Sequence, residues 1–137
     1  MTLNSIMSLN ENSDPNLLSP LTLAFIGDTV FDLLVREQLV NEANRPVGKL
    51  HSLSADRVCA GAQAKAVERI WNALSEDEQA IIKRGRNAHS GHKPKNASEA
   101  EYHAATGLEA LFGWLYLKSE NTRLHEIFIM ICETEQS

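Results

Sequence analysis

Residues 20–35 read PLTLAFIGDTVFDLLV, and the only charged side chains among them are Asp28 and Asp32. At about 100° per residue, Leu23, Ile26, Val30, Leu33 and Leu34 share one helical face, while Ala24, Phe31 and Val35 lie opposite. The stretch is apolar almost all round, the pattern of a helix enclosed by other helices. It predicts one long helix over residues 21–40, started by Pro20. A carboxylate on such a helix must be paired, metal-bound or protonated, because an isolated buried charge is heavily penalised.

A second stretch repeats the pattern. Residues 104–117, AATGLEALFGWLYL, contain one charge, Glu109. Ala105, Gly107 and Ala110 around it, like Gly27 beside Asp28, are small enough for helices to approach closely. If the two helices pack together, Asp28 and Glu109 meet. Two carboxylates converging without an evident cation suggest a divalent metal, and oxygen-only ligation suggests magnesium or manganese. The alternative is that an arginine, such as Arg36 or Arg57, neutralises each acid and no chemistry follows. Asp32, one turn after Asp28, either shares the metal or borders solvent.

The remaining segments also read as helices. No run of β-branched residues alternates and no Asn-Gly hairpin is present, so the expected fold class is all-α. Asn44, Arg45 and Pro46 mark a turn, followed by a short helical piece over 46–52. A helix over 54–74 carries Val58, Ala62, Ala66, Val67, Ile70 and Trp71 at helical spacing. Ser75 with Glu78 and Ser98 with Glu101 are capping boxes that open helices running to about Arg86 and Lys118. Between them, residues 87–96 hold Gly91 and Pro94 and break the helix. Asn121 caps a last amphipathic helix with Leu124, Ile127, Phe128 and Ile131. Phe112, Trp114 and Tyr116 fit core or dimer packing better than base stacking.

At 137 residues the chain fits one domain, expected over 15–137 behind a frayed tail at 1–14. With 43% hydrophobic and 23% charged residues it has the balance of a globular protein. No apolar run approaches the ~20 residues of a membrane span. The opening MTLNSIMSLNENSDPN has no apolar signal core, so a cytoplasmic location is expected. Cys59 and Cys132 form no CxxC pair and read as buried structural thiols. His89 and His92 lack a third ligand at zinc spacing.

The formal charge of −5 argues on average against a polyanionic partner, but the charge is segregated. Lys83, Arg84, Arg86, Lys93 and Lys95 fall in a stretch with no acid. The rest of the chain holds 8 basic against 18 acidic residues. Such a basic segment is either a solvated loop or a phosphate-binding one, with Asn87 and Ser90 as polar helpers.

Three motifs together carry a family resemblance. LAFIGDTVFDLLVR (23–36) resembles the signature helix of the ribonuclease III family, and ATGLEALFGWLYL (105–117) resembles its second acidic motif. KRGRNAHSGHKPKNAS (83–98) is similar to the segment particular to the Mini-ribonuclease III branch. In order and spacing the likeness covers about 15–133. It implies a helical endonuclease domain in which Asp28 and Glu109 are the catalytic, metal-binding acids and magnesium or manganese is the cofactor, with Asp32 as a further ligand. It implies a homodimer in which each subunit cuts one strand of double-stranded RNA, leaving a short 3′ overhang. The implied substrate is the duplex stem of precursor 23S (large-subunit) ribosomal RNA. Lys83, Arg84, Arg86, Asn87, Lys93 and Lys95 become the RNA-binding candidates. In larger members the signature helix has glutamates four and seven residues before the aspartate, where this chain has Ala24 and Leu21. Thr106 stands where those members have another aspartate. The thinner acid set keeps two other readings open: a catalytically inactive RNA-binding module, and a helical interaction protein with structural ion pairs. With no room in 137 residues for a separate RNA-binding domain, binding is expected from the catalytic domain itself.

Overall fold

A computed structural model describes residues 14–88 and 97–135. Among these, every regular element is helical, as the sequence pattern predicts: α1 (Pro20–Glu42), α2 (Val47–Val58), α3 (Ala60–Ile70), α4 (Glu76–Arg86), α5 (Glu99–Leu117) and α6 (Asn121–Glu135). Single 3-10 turns lie at Pro15–Leu17 and Trp71–Ala73. The expected tail over 1–14 falls outside the described residues except for Asp14, which caps the first of these turns.

Local chemistry sets most helix ends. The Ser19 hydroxyl accepts the Thr22 N–H at 3.2 Å, and Pro20 occupies the first helical position of α1. Both capping boxes form, on Ser75 with Glu78 and on Ser98 with Glu101. Two boundaries differ from expectation. The α2–α3 break falls at Cys59, not near Leu53, where Cys59 turns extended at φ −63°, ψ 157°. No glycine or proline marks that residue. The break is held by the Gln63 side chain, whose Nε2 donates to the Val58 carbonyl at 2.9 Å. Asn121 is the first residue of α6 rather than its cap, and the Leu124 N–H bonds to the Glu120 carbonyl.

α5 is the axle, packed against α1, α3, α4 and α6, and it is buried continuously from Ala105 to Leu108 and from Ala110 to Leu115. Its glycines set how near its neighbours come. A Cβ on Gly27 would collide with the Glu109 carbonyl, and one on Gly113 would collide with the Leu23 carbonyl, so α1 and α5 touch backbone to backbone. On another side of α5, Gly107 lies under the Ile82 carbonyl of α4.

α1 is less enclosed than its composition implies. Leu23, Ala24, Val30, Phe31, Val35 and Leu39 are buried, but Phe25 is 82%, Leu33 57% and Val40 63% exposed. Leu33 therefore leaves the core face assigned to it. Cys59 is exposed and Cys132 half-buried, so neither is the fully buried thiol expected. Phe112 and Trp114 do enter the core, and the Trp114 Nε1–H donates to Asn16 Oδ1 at 2.8 Å. α6 closes the bundle through Leu124, Ile127 and Ile131 and through Arg123, which bonds Glu78 of α4 in two places at 2.7 and 2.8 Å.

Candidate active site

Asp28 follows Gly27 on α1, at the point where α1 rests on the Glu109 peptide of α5. That contact brings the two lone carboxyl groups into hydrogen-bonding reach of each other. Their surroundings differ. Asp28 is exposed, which corrects the expectation that it is enclosed, whereas Glu109 is half-buried. Burial raises the Glu109 carboxyl from the ordinary 4.5 to about 8, helped by the charge of Asp28 and their shared hydrogen bond and opposed by an amide hydrogen bond from Gln63. The amide Nε2 lies 3.3 Å from Glu109 Oε2.

The arginine alternative fails for this pair. Arg57 is spent on Gln38 at 2.8 Å and Glu42 at 3.1 Å, and Arg36 on Asp32 at 3.0 Å. Among the described residues no lysine or arginine forms an ion pair with Asp28 or Glu109. Asp32 takes the other outcome and is neutralised one turn along its own helix by Arg36.

A cleft of about 460 Å³ opens beside Glu109, lined among others by Cys59, Gly61, Gln63, Glu101 and Tyr102. Among the described residues no group of three or more His, Cys, Asp or Glu side chains is arranged around a metal position. Two carboxylates with oxygen donors only, one of them holding a proton against its ordinary tendency, nevertheless suit a hard divalent cation that keeps several waters. The cation would supply positive charge against the burial and the Asp28 charge that raise Glu109.

The basic candidates divide. Lys83 Nζ and Arg86 Cζ lie 5.8 and 5.5 Å from the centre of the Trp71 ring, within cation–π range. Arg84 points elsewhere and donates to the Leu18 carbonyl at 3.3 Å. Asn87 caps α4 through its backbone N–H. Lys93, Lys95, Ser90, His89 and His92 lie outside the described residues. Lys83, Arg84 and Arg86 form no ion pair with the acids: α5 turns Gly107 toward α4 and Glu109 toward α1 and α3.

A ribonuclease III domain signature matches residues 21–120. The chain belongs to the ribonuclease III family. It is similar to the Mini-ribonuclease 3 of Thermoanaerobacter sp. (strain X514), 49% identical over 110 residues that span 80% of this chain and 78% of that one. The Mini-ribonuclease 3 of Staphylococcus aureus (strain NCTC 8325 / PS 47) is 37% identical over 123 residues, 88% of this chain and 92% of that one. In fold it matches a crystal structure of a Fusobacterium nucleatum protein with TM-score 0.80 at 28% identity, covering 90% of this chain and 99% of that one. As a ribonuclease III enzyme of the Mini-ribonuclease branch, the chain is an endoribonuclease.

The family's additional acid positions are occupied here by residues that pack. Ala24 is buried, Leu21 is half-buried, and the buried Thr106 hydroxyl donates to the Tyr102 carbonyl at 3.0 Å. Of the positions the resemblance singles out in these motifs, Asp28 and Glu109 are the two that carry acids. Sequence reasoning missed Gln63, which stands three, four and seven residues before Ala66, Val67 and Ile70 on the buried stripe of α3. A polar residue on an apolar stripe was the available signal. It also placed Trp71 in the core pattern, whereas the ring is half-exposed beneath two cations.

Proposed function

We propose that this endoribonuclease is magnesium-dependent, with manganese able to substitute, and cuts double-stranded RNA as a cytoplasmic homodimer. We propose further that its substrate is the duplex stem of precursor 23S ribosomal RNA. The reading rests on the Asp28–Glu109 pair: two carboxyl groups in contact, one half-buried, with no ion pair to a lysine or arginine among the described residues. Asp28 and Glu109 would hold the metal, and water would fill the remaining positions. When bound, the cation activates a water and offsets charge on the phosphodiester. Asp32, already paired with Arg36, plays at most an outer part in this reading.

The chain's own residues do the rest. Glu109 would hold the cation as a carboxylate, its proton given up to solvent, because the cation's charge would offset the penalty of burying that carboxylate. Lys83 and Arg86, leaning on Trp71, meet phosphates at a distance from the acids, which suits a long duplex read by its backbone. Asn87, Lys93 and Lys95 are the further RNA-binding candidates of this reading. The domain of 15–137 supplies both functions. Phe25, Leu33 and Val40 recur at seven- and eight-residue spacing along one exposed stripe of α1, an apolar surface that supports the homodimer.

The test is incubation of the purified protein with a long RNA duplex and with the precursor 23S stem, with and without magnesium. Cleavage is expected only with the metal, and faster on the precursor stem. Binding of duplex without cleavage at any magnesium concentration would leave an inactive RNA-binding module. Sedimentation at micromolar concentration is expected to give a dimer.

A further inference from the structure

We infer that Gln63 is a positioning residue of the acid pair: its amide nitrogen ties the Glu109 carboxylate to the Val58 carbonyl and fixes the direction in which Glu109 meets Asp28. The inference rests on the reading of Asp28 and Glu109 as the divalent-metal site.

The orientation of the amide is settled by its partners. A backbone carbonyl only accepts, so the nitrogen must face Val58, 2.9 Å away. The same nitrogen reaches Glu109 Oε2 at 3.3 Å, so both of its N–H groups are in use. Its other atom is neglected: Oε1 is buried without a hydrogen-bond partner among the described residues, in a side chain of a residue only 2% exposed. A buried acceptor left unmet is costly. A glutamine that served only to fill space between α3 and its neighbours would be replaced at a gain by an apolar side chain of the same length. What the amide uniquely provides is its pair of donors, and one of those is spent on Glu109.

The anchor on the other side is firm. Val58 is the last residue of α2, at the Cys59 break, and the Gln63 backbone N–H also bonds back to the Cys59 carbonyl at 3.1 Å. Gln63 therefore grips the chain break with backbone and side chain together and passes that rigidity to Glu109. Gln63 and Glu109 line the same cleft. A carboxylate held through one oxygen keeps its other oxygen and remaining lone pairs for a cation shared with Asp28.

The experiment measures Mn2+ binding to the full chain by the bound-ion paramagnetic signal, for the wild type, Gln63→Met, Gln63→Asn and Glu109→Gln. Gln63→Met keeps the length without the donors; Gln63→Asn keeps an amide too short to span both partners. Both are expected to bind Mn2+ roughly 10- to 100-fold more weakly. Both should lower kcat on duplex RNA while leaving KM, and duplex affinity without metal, unchanged. If Gln63→Met does not fold, Gln63→Asn decides. A folded Gln63 variant with a lower melting temperature but wild-type Mn2+ affinity would overturn the inference, since its role would then end at the helix break. Wild-type Mn2+ affinity in Glu109→Gln would instead overturn the metal-site reading beneath it.

Discussion

Glu78 and Glu109 are both glutamates set among packed helices, and the protein treats them in opposite ways. Glu78 has its own cation: Arg123 bonds both carboxylate oxygens, the Ser75 backbone donates as well, and the carboxyl is held below the ordinary range. Glu109 faces a second acid and receives one amide hydrogen bond, and burial drives its carboxyl upward. The first arrangement is complete within the chain and joins α4 to α6. The second is electrostatically incomplete within the chain, and under the proposed function a divalent cation would complete it. The contrast separates a carboxylate satisfied within the fold from the one to which the proposed function assigns the chemistry.

Substitution should expose that division. Asp28→Asn and Glu109→Gln are each expected to lower single-turnover cleavage by several orders of magnitude, because a lost metal ligand removes the cation's contribution. Their thermal melting in metal-free buffer should match or exceed the wild type, since each relieves an unbalanced pair. Glu78→Gln should do the reverse. It leaves Arg123 facing a neutral amide and is expected to cost about 2–4 kcal/mol, seen as a drop of roughly 10 °C in melting temperature. Cleavage by the folded fraction should remain near normal. A Glu78→Gln protein that melts normally but cannot cleave would erase the distinction.

A smaller effect is expected at the basic face. Changing Lys83 and Arg86 to alanine removes the two cations that rest on Trp71. Duplex affinity should fall and its logarithmic dependence on salt should flatten by roughly one to two units. Cleavage at saturating RNA should change little, because these side chains are not at the acids. Adding Arg84→Ala should contribute less, since Arg84 is bonded to the Leu18 carbonyl. An unchanged salt slope in the triple variant would place the phosphate contacts elsewhere.

The helical class and the meeting of Asp28 with Glu109 were legible because apolar periodicity and lone charges are local signals. Glycine beside each acid's contact was legible too, as Gly27 shows directly. The α2–α3 break was not, because Cys59 has no special backbone chemistry and a side chain four residues on holds the turn. The exposure of Asp28 escaped for a related reason, and although the apolar surplus of residues 21–40 pointed to exposed apolar area, it did not single out Phe25, Leu33 and Val40. Composition reports that a helix is apolar all round, not which of its faces lack a partner within one chain. Arg123 was unreadable as the partner of Glu78, since the two lie 45 residues apart and meet only through packing. For Asp32 the i,i+4 spacing to Arg36 was the available signal of the ion pair that the structure shows.

The central claim, that Glu109 awaits a cation while Glu78 already has one, is tested most directly by melting across pH with and without magnesium. The Glu109 carboxyl lies above its unfolded value of 4.5, near 8. Its contribution to stability is therefore fully present below 4.5 and lost as pH rises through about 8. Glu78 is shifted downward, so its contribution is present above 4.5 and lost only as pH falls below that value. Between about pH 5 and about pH 9 the slope then belongs to Glu109 and not to Glu78. Metal-free wild type is expected to lose several degrees of melting temperature over that range relative to Glu109→Gln, and magnesium should restore them in the wild type alone. Equal stabilisation of both proteins by magnesium, or none in the wild type, would contradict the account.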